Sequence, residues 1–298
     1  MSAIIEAIPG GRQRPFPVGL SPMLLQGTKE PFVKTGWIFE PKLDGMRCLA
    51  YVNDGKAKLF SKPGRNITDT FPALAAEFVK QPTGVYDGEI VAHDDHGFVS
   101  FERLQERWSL RRDAEIARAD RTNPVSFFAF DILHLGNISL TYVALSFRRA
   151  LLEDKFFKAP RLDLVEQFED GITLFEACRE QKFEGIVAKR LDSRYQCGLR
   201  TPDWLKIKYS VRDRFVIVGQ KEEEGYIVAK DGRVVGVVQY GFSAADLEAL
   251  SKRLQIEREE SIKGKMTFSY KPTVEVEVEF MEWTSKKQLR YPVFRKFC

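Results

Sequence analysis

Residues 274–280 read VEVEVEF. This alternation has a period of two, and only an extended strand sorts it cleanly onto two faces. Val274, Val276, Val278 and Phe280 line one face, and Glu275, Glu277 and Glu279 line the other. The acidic row reads as a solvated strand face over a packed sheet. Strand patterns RFVIVGQ (214–220) and RVVGVVQY (233–240) precede it, with one helical pattern, SAADLEALSKRL (243–254), between. About ninety residues of strands with one helix predict a small closed barrel of the OB type.

Before residue 210 the pattern differs. Short apolar runs GWIFEPKL, RCLAYVND, KAKLFSK, GVYDGEIVAH and SFFAFDILHL read as strands, and NDGK at 53–56 as a hairpin turn. Helical patterns fall at 71–80, 101–119, 145–154 and 172–183. Hairpins with scattered helices predict an α+β fold of largely antiparallel sheets. Residues 1–30, rich in Pro and Gly, predict an extended surface arm. No repeat at solenoid spacing and no low-complexity tract is present.

At 298 residues the chain is long for one core, so two domains are expected, 1–209 with the arm and 210–298. A charged fraction of 30% and an apolar fraction of 44% exclude wholesale disorder. The formal charge of +4 permits nucleic-acid binding only if cations cluster. Cys48, Cys178, Cys197 and Cys298 form no C-x-x-C pair, and with only three histidines in the chain no structural zinc site is expected. Free thiols suggest a reducing compartment. The proline-broken start lacks an apolar signal core, and no run is long enough to span a membrane, so the expected location is the cytoplasm.

The stretch EPKLDGMR (40–47) sets Lys42 between Glu40 and Asp44. An ordinary lysine has roughly one neutral amine in a thousand at pH 7.5, so a nucleophilic amine costs about 4 kcal/mol. Flanking acids raise that cost. On this window alone Lys42 reads as part of a polar turn. It becomes a nucleophile only where other cations lower its pKa or a metal ion occupies the acids.

Such groups occur further on. Glu89 lies in VYDGEIVAH after a D-G turn signal, and Glu184 stands just before an apolar strand that carries Lys189. In PDWLKIKY, Lys206 and Lys208 share one strand face while Leu205 and Ile207 point the other way. Paired lysines on one face suit a polyanion. Taken singly, Glu89 is equally a solvated strand residue, and the lysines an edge that discourages aggregation.

The runs KLDGMR, YDGEIV, FFAFDIL, EGIVAKR and WLKIKY occur in this order, each a short strand beside a charge. Together they resemble the covalent nucleotidyltransferase motifs of ATP-dependent DNA ligases, over roughly residues 20 to 297. SRYQCGLRTPDWLKIKY, YGFSAADLEALSKRL and EVEFMEWTSKKQLRYPVFRKF are similar to the small bacterial ligases and to the ligase part of bacterial end-joining proteins.

The resemblance implies an α+β nucleotidyltransferase domain, with ATP-grasp-like antiparallel sheets and helices, followed by a C-terminal OB-fold barrel. It makes Lys42 the nucleophile that takes AMP from ATP, passes it to a DNA 5′-phosphate and yields to attack by a 3′-hydroxyl. Glu89 and Glu184 would bind Mg²⁺ or Mn²⁺ and orient ribose. Glu40 would read the adenine amino group, and Asp44 would position the nucleotide or the lysine. Phe130 would stack on adenine, with Phe128 the competing aromatic on the same face and a plain core role the alternative. Arg47 and Lys189 would contact phosphate or ribose. Lys206 and Lys208 would hold the α-phosphate and lower the pKa of Lys42. Arg290 and Arg295 would help orient the leaving pyrophosphate.

The family often has SRNG or SRPG where this chain has SKPG, so Lys62 replaces an arginine expected to hold phosphate. Lysine keeps the charge but loses the bidentate fork, and Arg65 stands near to compensate. The chain ends at VFRKFC, slightly short of the family's usual basic tail. DNA contacts are expected from Arg65, Arg111, Arg112, Lys286, Lys287, Arg290 and Arg295, through phosphates and with little sequence preference. The implied partners are nicked or broken duplex DNA and a Ku-like end-binding protein or repair polymerase, with no membrane and a monomeric chain. An RNA ligase or mRNA-capping nucleotidyltransferase is the enzymatic alternative, and a non-catalytic nucleic-acid scaffold the other. An NAD-dependent ligase is disfavoured because the cysteines cannot build a zinc finger.

Overall fold

The computed structural model describes residues 8–181, 183–262, 265–284 and 286–298. Residues 1–7 of the expected arm, Lys182 of the helix expected at 172–183 and Ser285 of the C-terminal basic stretch lie outside the described residues. The chain divides into two units, Met1–Ile207 and Lys208–Cys298.

The first unit contains β1 (Arg12–Gln13), β2 (Leu24–Gly27), β3 (Trp37–Pro41), β4 (Met46–Asn53), β5 (Lys56–Ser61), β6 (Gly84–Ala92), β7 (Val125–Leu135), β8 (Ile138–Ser139), β9 (Leu162–Leu164), β10 (Gly185–Arg190) and β11 (Arg200–Lys208), whose last residue opens the second unit. Its helices are α1 (Pro72–Phe78), α2 (Phe101–Ser109), α3 (Asp113–Thr122), α4 (Leu145–Lys155) and α5 (Gly171–Glu180). One sheet has the order β1-β8-β7-β6-β4-β5, with β9 beside β7, and the other β2-β11-β10-β3. Antiparallel ladders predominate, while β2–β11 and β7–β9 run parallel. This is the α+β arrangement expected. NDGK makes the expected hairpin: Asp54 and Gly55 both take left-handed φ values (50° and 68°), the backbone a two-residue turn between twisted strands requires.

Strand parity distributes side chains between two cores. Cys48, Ala50 and Val52 of β4 join Tyr86, Ile90 and Phe127 under α1 and α2, where Leu74, Phe78 and Leu104 are fully packed. Leu49 and Tyr51 face the other way and join Val85, Phe130, Ile38, Tyr195 and Trp204 between the two sheets. The larger sheet is therefore covered on both faces, and charged side chains on its inner face need partners.

Two sequence expectations changed here. The D-G of VYDGEIV is no turn, since β6 runs straight through it. A β-bulge against β7 falls at Asp87/Gly88, and a Cβ on Gly88 would sit 2.3 Å from Cζ of Phe127, so glycine serves close packing. The helix expected at 101–119 is two helices. Leu110 leaves helical backbone, and the Arg111 guanidinium donates to the carbonyls of Trp108 (2.8 Å) and Leu110 (2.9 Å), stopping α2. The break lets buried Arg107 of α2 reach Asp120 of α3 at 2.6 Å.

The second unit contains β12 (Val211–Lys221), β13 (Gly225–Lys230), β14 (Arg233–Val238), α6 (Ala244–Arg253), β15 (Ile256–Ile262), β16 (Lys265–Phe280) and β17 (Val293–Phe297). A capping box of Ser243 and Asp246 starts α6. The sheet order is β14-β13-β12-β16-β15, with β17 on β16. It is an OB-type sheet whose seam, among the described residues, is held by a single Tyr240–Val293 bridge and by the Leu289 N–H donating to Val235 O (2.7 Å), not by the continuous ladder of the closed barrel expected. Val274, Val276, Val278 and Phe280 are buried as their period demanded. The opposite face is less solvated than expected. Glu279 accepts from Arg212 (2.8 Å) and from two nitrogens of Arg295, and Glu277 pairs with Arg212 and Lys296, leaving only Glu275 of the row exposed.

Candidate active site

Lys42 follows β3 directly, and its backbone is clamped to the start of β10. Its N–H donates to Gly185 O (2.8 Å) and its carbonyl accepts from the Glu184 N–H (3.3 Å). The Lys42 ammonium is ion-paired with the Glu184 carboxylate, which is 7% exposed. The glycine of KLDG lets β6 approach this turn, because a Cβ on Gly45 would lie 2.2 Å from Ile90 O and 2.9 Å from Cγ of Glu89. A side chain at 45 would push the nucleophile candidate and Glu89 apart.

A pocket opens beside Lys42 between the two sheets of the first unit. Its polar lining is Glu40, Lys42, Arg47, Glu89 and Lys189, and its apolar lining includes Leu25, Phe130, Val165, Val187 and Trp204. Glu40 of β3 pairs with Val187 of β10 in register, which places Lys189 diagonally across the same face. Lys189 Nζ lies 2.6 Å from Glu40 Oε2, and also 4.1 Å from the Phe130 ring centroid and 4.4 Å from that of Trp204. Burial pulls the Lys189 ammonium below its ordinary value, against the opposing pull of Glu40 and Asp131.

Arg47 and Glu89 are register partners across β4 and β6. The Arg47 guanidinium makes a two-pronged pair with Asp87, both contacts at 2.6 Å, and lies 4.3 Å from the Phe130 ring centroid. Asp87 is fully buried and also accepts the Tyr195 hydroxyl at 2.5 Å. Burial, with added repulsion from Glu184 and Asp87, pushes Glu89 up to about 7, although Lys42 and Arg47 draw it down. Phe130 is the aromatic in the pocket lining, whereas Phe128 sits 6.4 Å from the His93 ring.

A pocket walled by an aromatic ring, with a buried carboxylate and a less buried lysine in its lining, suits a purine nucleotide presented to an amine. The family model described as ATP dependent DNA ligase domain matches residues 22–208, and that described as ATP dependent DNA ligase C terminal region matches 218–297. The chain belongs to the ATP-dependent DNA ligase family. Among relatives of this ligase chain, the multifunctional non-homologous end joining protein LigD of Mycolicibacterium smegmatis is 33% identical over 305 residues, covering 94% of this chain and 38% of that protein. LigD of Pseudomonas aeruginosa is 30% identical over 264 residues, covering 82% of this chain and 30% of its own length. The chain thus spans about a third of the length of these relatives, 38% of one and 30% of the other. The solved mycobacterial DNA ligase D complexed with ATP and MES superposes with a TM-score of 0.59 at 31% identity, covering 94% of this chain and 95% of that one. The ligase domain of LigD from M. tuberculosis gives 0.58 at 30% identity, with the same coverage.

The remaining expected residues of the ligase chain lie outside the pocket lining. Asp44 is half-buried in the turn after Lys42. Lys206 and Lys208 are half-buried near the end of β11, with Ile207 buried on the opposite face. Lys62 and Arg65 are exposed on the turn after β5, which Gly64 closes by donating to Ser61 O (2.8 Å). Several expected DNA contacts have internal partners: Arg111 caps α2, Arg112 pairs with Glu115 (3.6 Å), Arg290 with Glu282 (2.9 Å) and Arg295 with Glu279 (2.8 Å). Lys286 and Lys287 are exposed. Asp87, Tyr195 and Trp204 were missed as site residues. Strand parity was the available signal for two of them, since Asp87 is two before Glu89 and Trp204 two before Lys206, whereas Tyr195 lies between β10 and β11 and no strand pattern marks it.

Proposed function

We propose that this chain seals nicks or breaks in duplex DNA through a lysyl-AMP intermediate on Lys42, as the ligase portion of an end-joining repair activity. The observation that carries the reading is Lys42, paired with Glu184, at a pocket that also holds Glu40, Phe130 and Lys189. In the first step Lys42 Nζ, having lost a proton, attacks the α-phosphorus of ATP. A new N–P bond forms and the bond to pyrophosphate breaks. AMP then passes to a DNA 5′-phosphate, and the neighbouring 3′-hydroxyl displaces it. The protein's work in such transfers is placement and charge stabilisation.

Phe130 would stack on adenine with Glu40 accepting from its amino group, and Lys189 would hold Glu40 in place. Arg47, locked by Asp87, would present its outer edge to ribose or phosphate, while Lys206 and Lys208 would take phosphate oxygens. The carboxylates of Glu89 and Glu184 are hard oxygen donors near enough to repel one another, which fits a shared divalent cation. Among the described residues no cluster of three or more His, Cys, Asp or Glu stands ready for a metal, so phosphate or water oxygens would complete its shell. Mg²⁺ or Mn²⁺ held there supplies charge neutralisation on the phosphate oxygens. Relatives named for non-homologous end joining support a role at DNA breaks, and a Ku-like end binder and a cytoplasmic setting would go with that reading. No described helix is long and apolar enough to cross a membrane.

The test is sealing of a 5′-phosphorylated nick in DNA, RNA and hybrid duplexes. Sealing of the DNA nick that needs both ATP and a divalent cation is expected, falling steeply with salt. Sealing of RNA alone would move the reading to an RNA ligase.

A further inference from the structure

Residues 191–199 join β10 to β11 as an irregular loop, and Tyr195 in its middle is 3% exposed. A buried loop must find partners for its backbone, and this one has them. The Tyr195 N–H donates to Thr141 O (2.9 Å). Ser193 O accepts from the Leu145 N–H (2.9 Å) and from Nη1 of the fully buried Arg148 (3.0 Å). The tyrosine is therefore delivered to a fixed place.

That place is beside a carboxylate. Asp87 stands fully buried in the middle of β6. Its Oδ1 accepts from Nε of Arg47, and its Oδ2 accepts both from Nη2 of Arg47 and from the Tyr195 hydroxyl. Burial and the adjacent Asp87 charge hold the Tyr195 phenol well above its ordinary value, so it stays a donor. The same hydroxyl oxygen accepts the N–H of Met23 (3.0 Å), the residue before β2, and β2 carries Leu25 of the pocket lining. The Tyr195 ring also stands at 87° to that of Trp204, another lining residue, with centroids 5.6 Å apart.

The terminal torsion of an aspartate is soft, so a buried carboxylate is aimed by the donors on its oxygens. Without a third donor, Asp87 and Arg47 would turn together as one body. With it, both are fixed to a loop that is itself anchored. Since Nε and Nη2 are turned to Asp87, the opposite edge of the Arg47 guanidinium is aimed by the same bond.

We propose that Tyr195 is a positioning residue for the nucleotide, whose hydroxyl fixes the Asp87 carboxylate and through it the aim of Arg47, while tying β2 to the same point. This rests on the ligase reading and deepens it by naming a residue that acts on ATP through Arg47.

Tyr195→Phe removes the hydroxyl and keeps the ring. Tyr51→Phe is the control: the Tyr51 hydroxyl accepts the Leu20 N–H at 2.7 Å and so holds the same approach to β2, but the phenol that donates to Asp87 is that of Tyr195. Lysine adenylation is followed across ATP concentrations in wild type, both variants, Arg47→Ala and the double variant of Arg47→Ala with Tyr195→Phe. Loss of a hydrogen bond to a buried charge predicts a KM for ATP raised roughly tenfold in Tyr195→Phe, with kcat unchanged. Tyr51→Phe should keep the wild-type KM. In the Arg47→Ala background Tyr195→Phe should add nothing, because a residue that acts through another is not additive with it. Asp87→Asn should reproduce the rise, and it takes the place of Tyr195→Phe in the cycle should that variant not fold. An unchanged KM in Tyr195→Phe or Asp87→Asn, an equal rise in Tyr51→Phe, or the same rise added to that of Arg47→Ala overturns the proposal. Wild type failing to adenylate would instead remove the ligase reading itself.

Discussion

The Lys189 ammonium lies 2.6 Å from Oε2 of Glu40, and neither side chain is more than 3% exposed. Phe130 and Trp204 enclose the lysine, so water cannot solvate either charge left alone. Removing one partner strands the other, at a cost of about 3–5 kcal/mol, whereas removing both with apolar residues of similar size costs much less. Urea denaturation of Glu40→Leu, Lys189→Met and the double variant should show strong non-additivity. Additive losses would mean that the pair is not coupled.

Glu89 is raised from its ordinary 4.5 to about 7, chiefly by burial. A raised folded pKa contributes stability that is fully present below 4.5 and lost as pH climbs through 7. Glu89→Gln, which stays neutral, should therefore gain stability relative to wild type as pH rises from 5 to 8 without added metal. The difference should approach about 1–3 kcal/mol. Denaturation midpoints across that range for both proteins check it, and a pH-independent difference would contradict the assignment.

Gly45→Ala places a methyl 2.2 Å from Ile90 O, a backbone atom with little room to move. Overpacking at such a contact costs about 1–3 kcal/mol. It should also reduce adenylation more than thermal stability, because it separates the Lys42 turn from Glu89. Equal melting temperature and equal adenylation would refute the tight approach.

Lys62 is exposed on the turn after β5, at the position where the family resemblance leads to an expected arginine. Lys62→Arg restores a two-pronged donor and should tighten binding of a nicked, 5′-phosphorylated duplex by roughly threefold to tenfold, leaving adenylation unchanged. Nick binding measured with and without the 5′-phosphate tests this. No change in either would remove Lys62 from the phosphate site.

Much of this was legible because strand period and charged punctuation are local properties. The NDGK hairpin, the buried valines of 274–278 and the extended runs around Lys42, Glu89 and Lys189 all follow from neighbours in sequence. What was not legible depends on partners far away. Asp87 looked like half of a turn because nothing local shows that Arg47 and Tyr195 would satisfy a buried carboxylate in mid-strand. The break between α2 and α3 depends on Arg111 capping and on Arg107 meeting Asp120. The glutamate row looked solvated because Arg212 and Arg295 stand on flanking strands.

The central claim is that Lys42 carries the adenylate. Incubation with α-labelled ATP and Mg²⁺, after removal of any prior AMP with pyrophosphate, should give a covalent label on wild type and none on a folded Lys42→Ala variant. Peptide mapping should place the label at Lys42. Label retained in Lys42→Ala, or no label on wild type with ATP, GTP or NAD, would contradict the account.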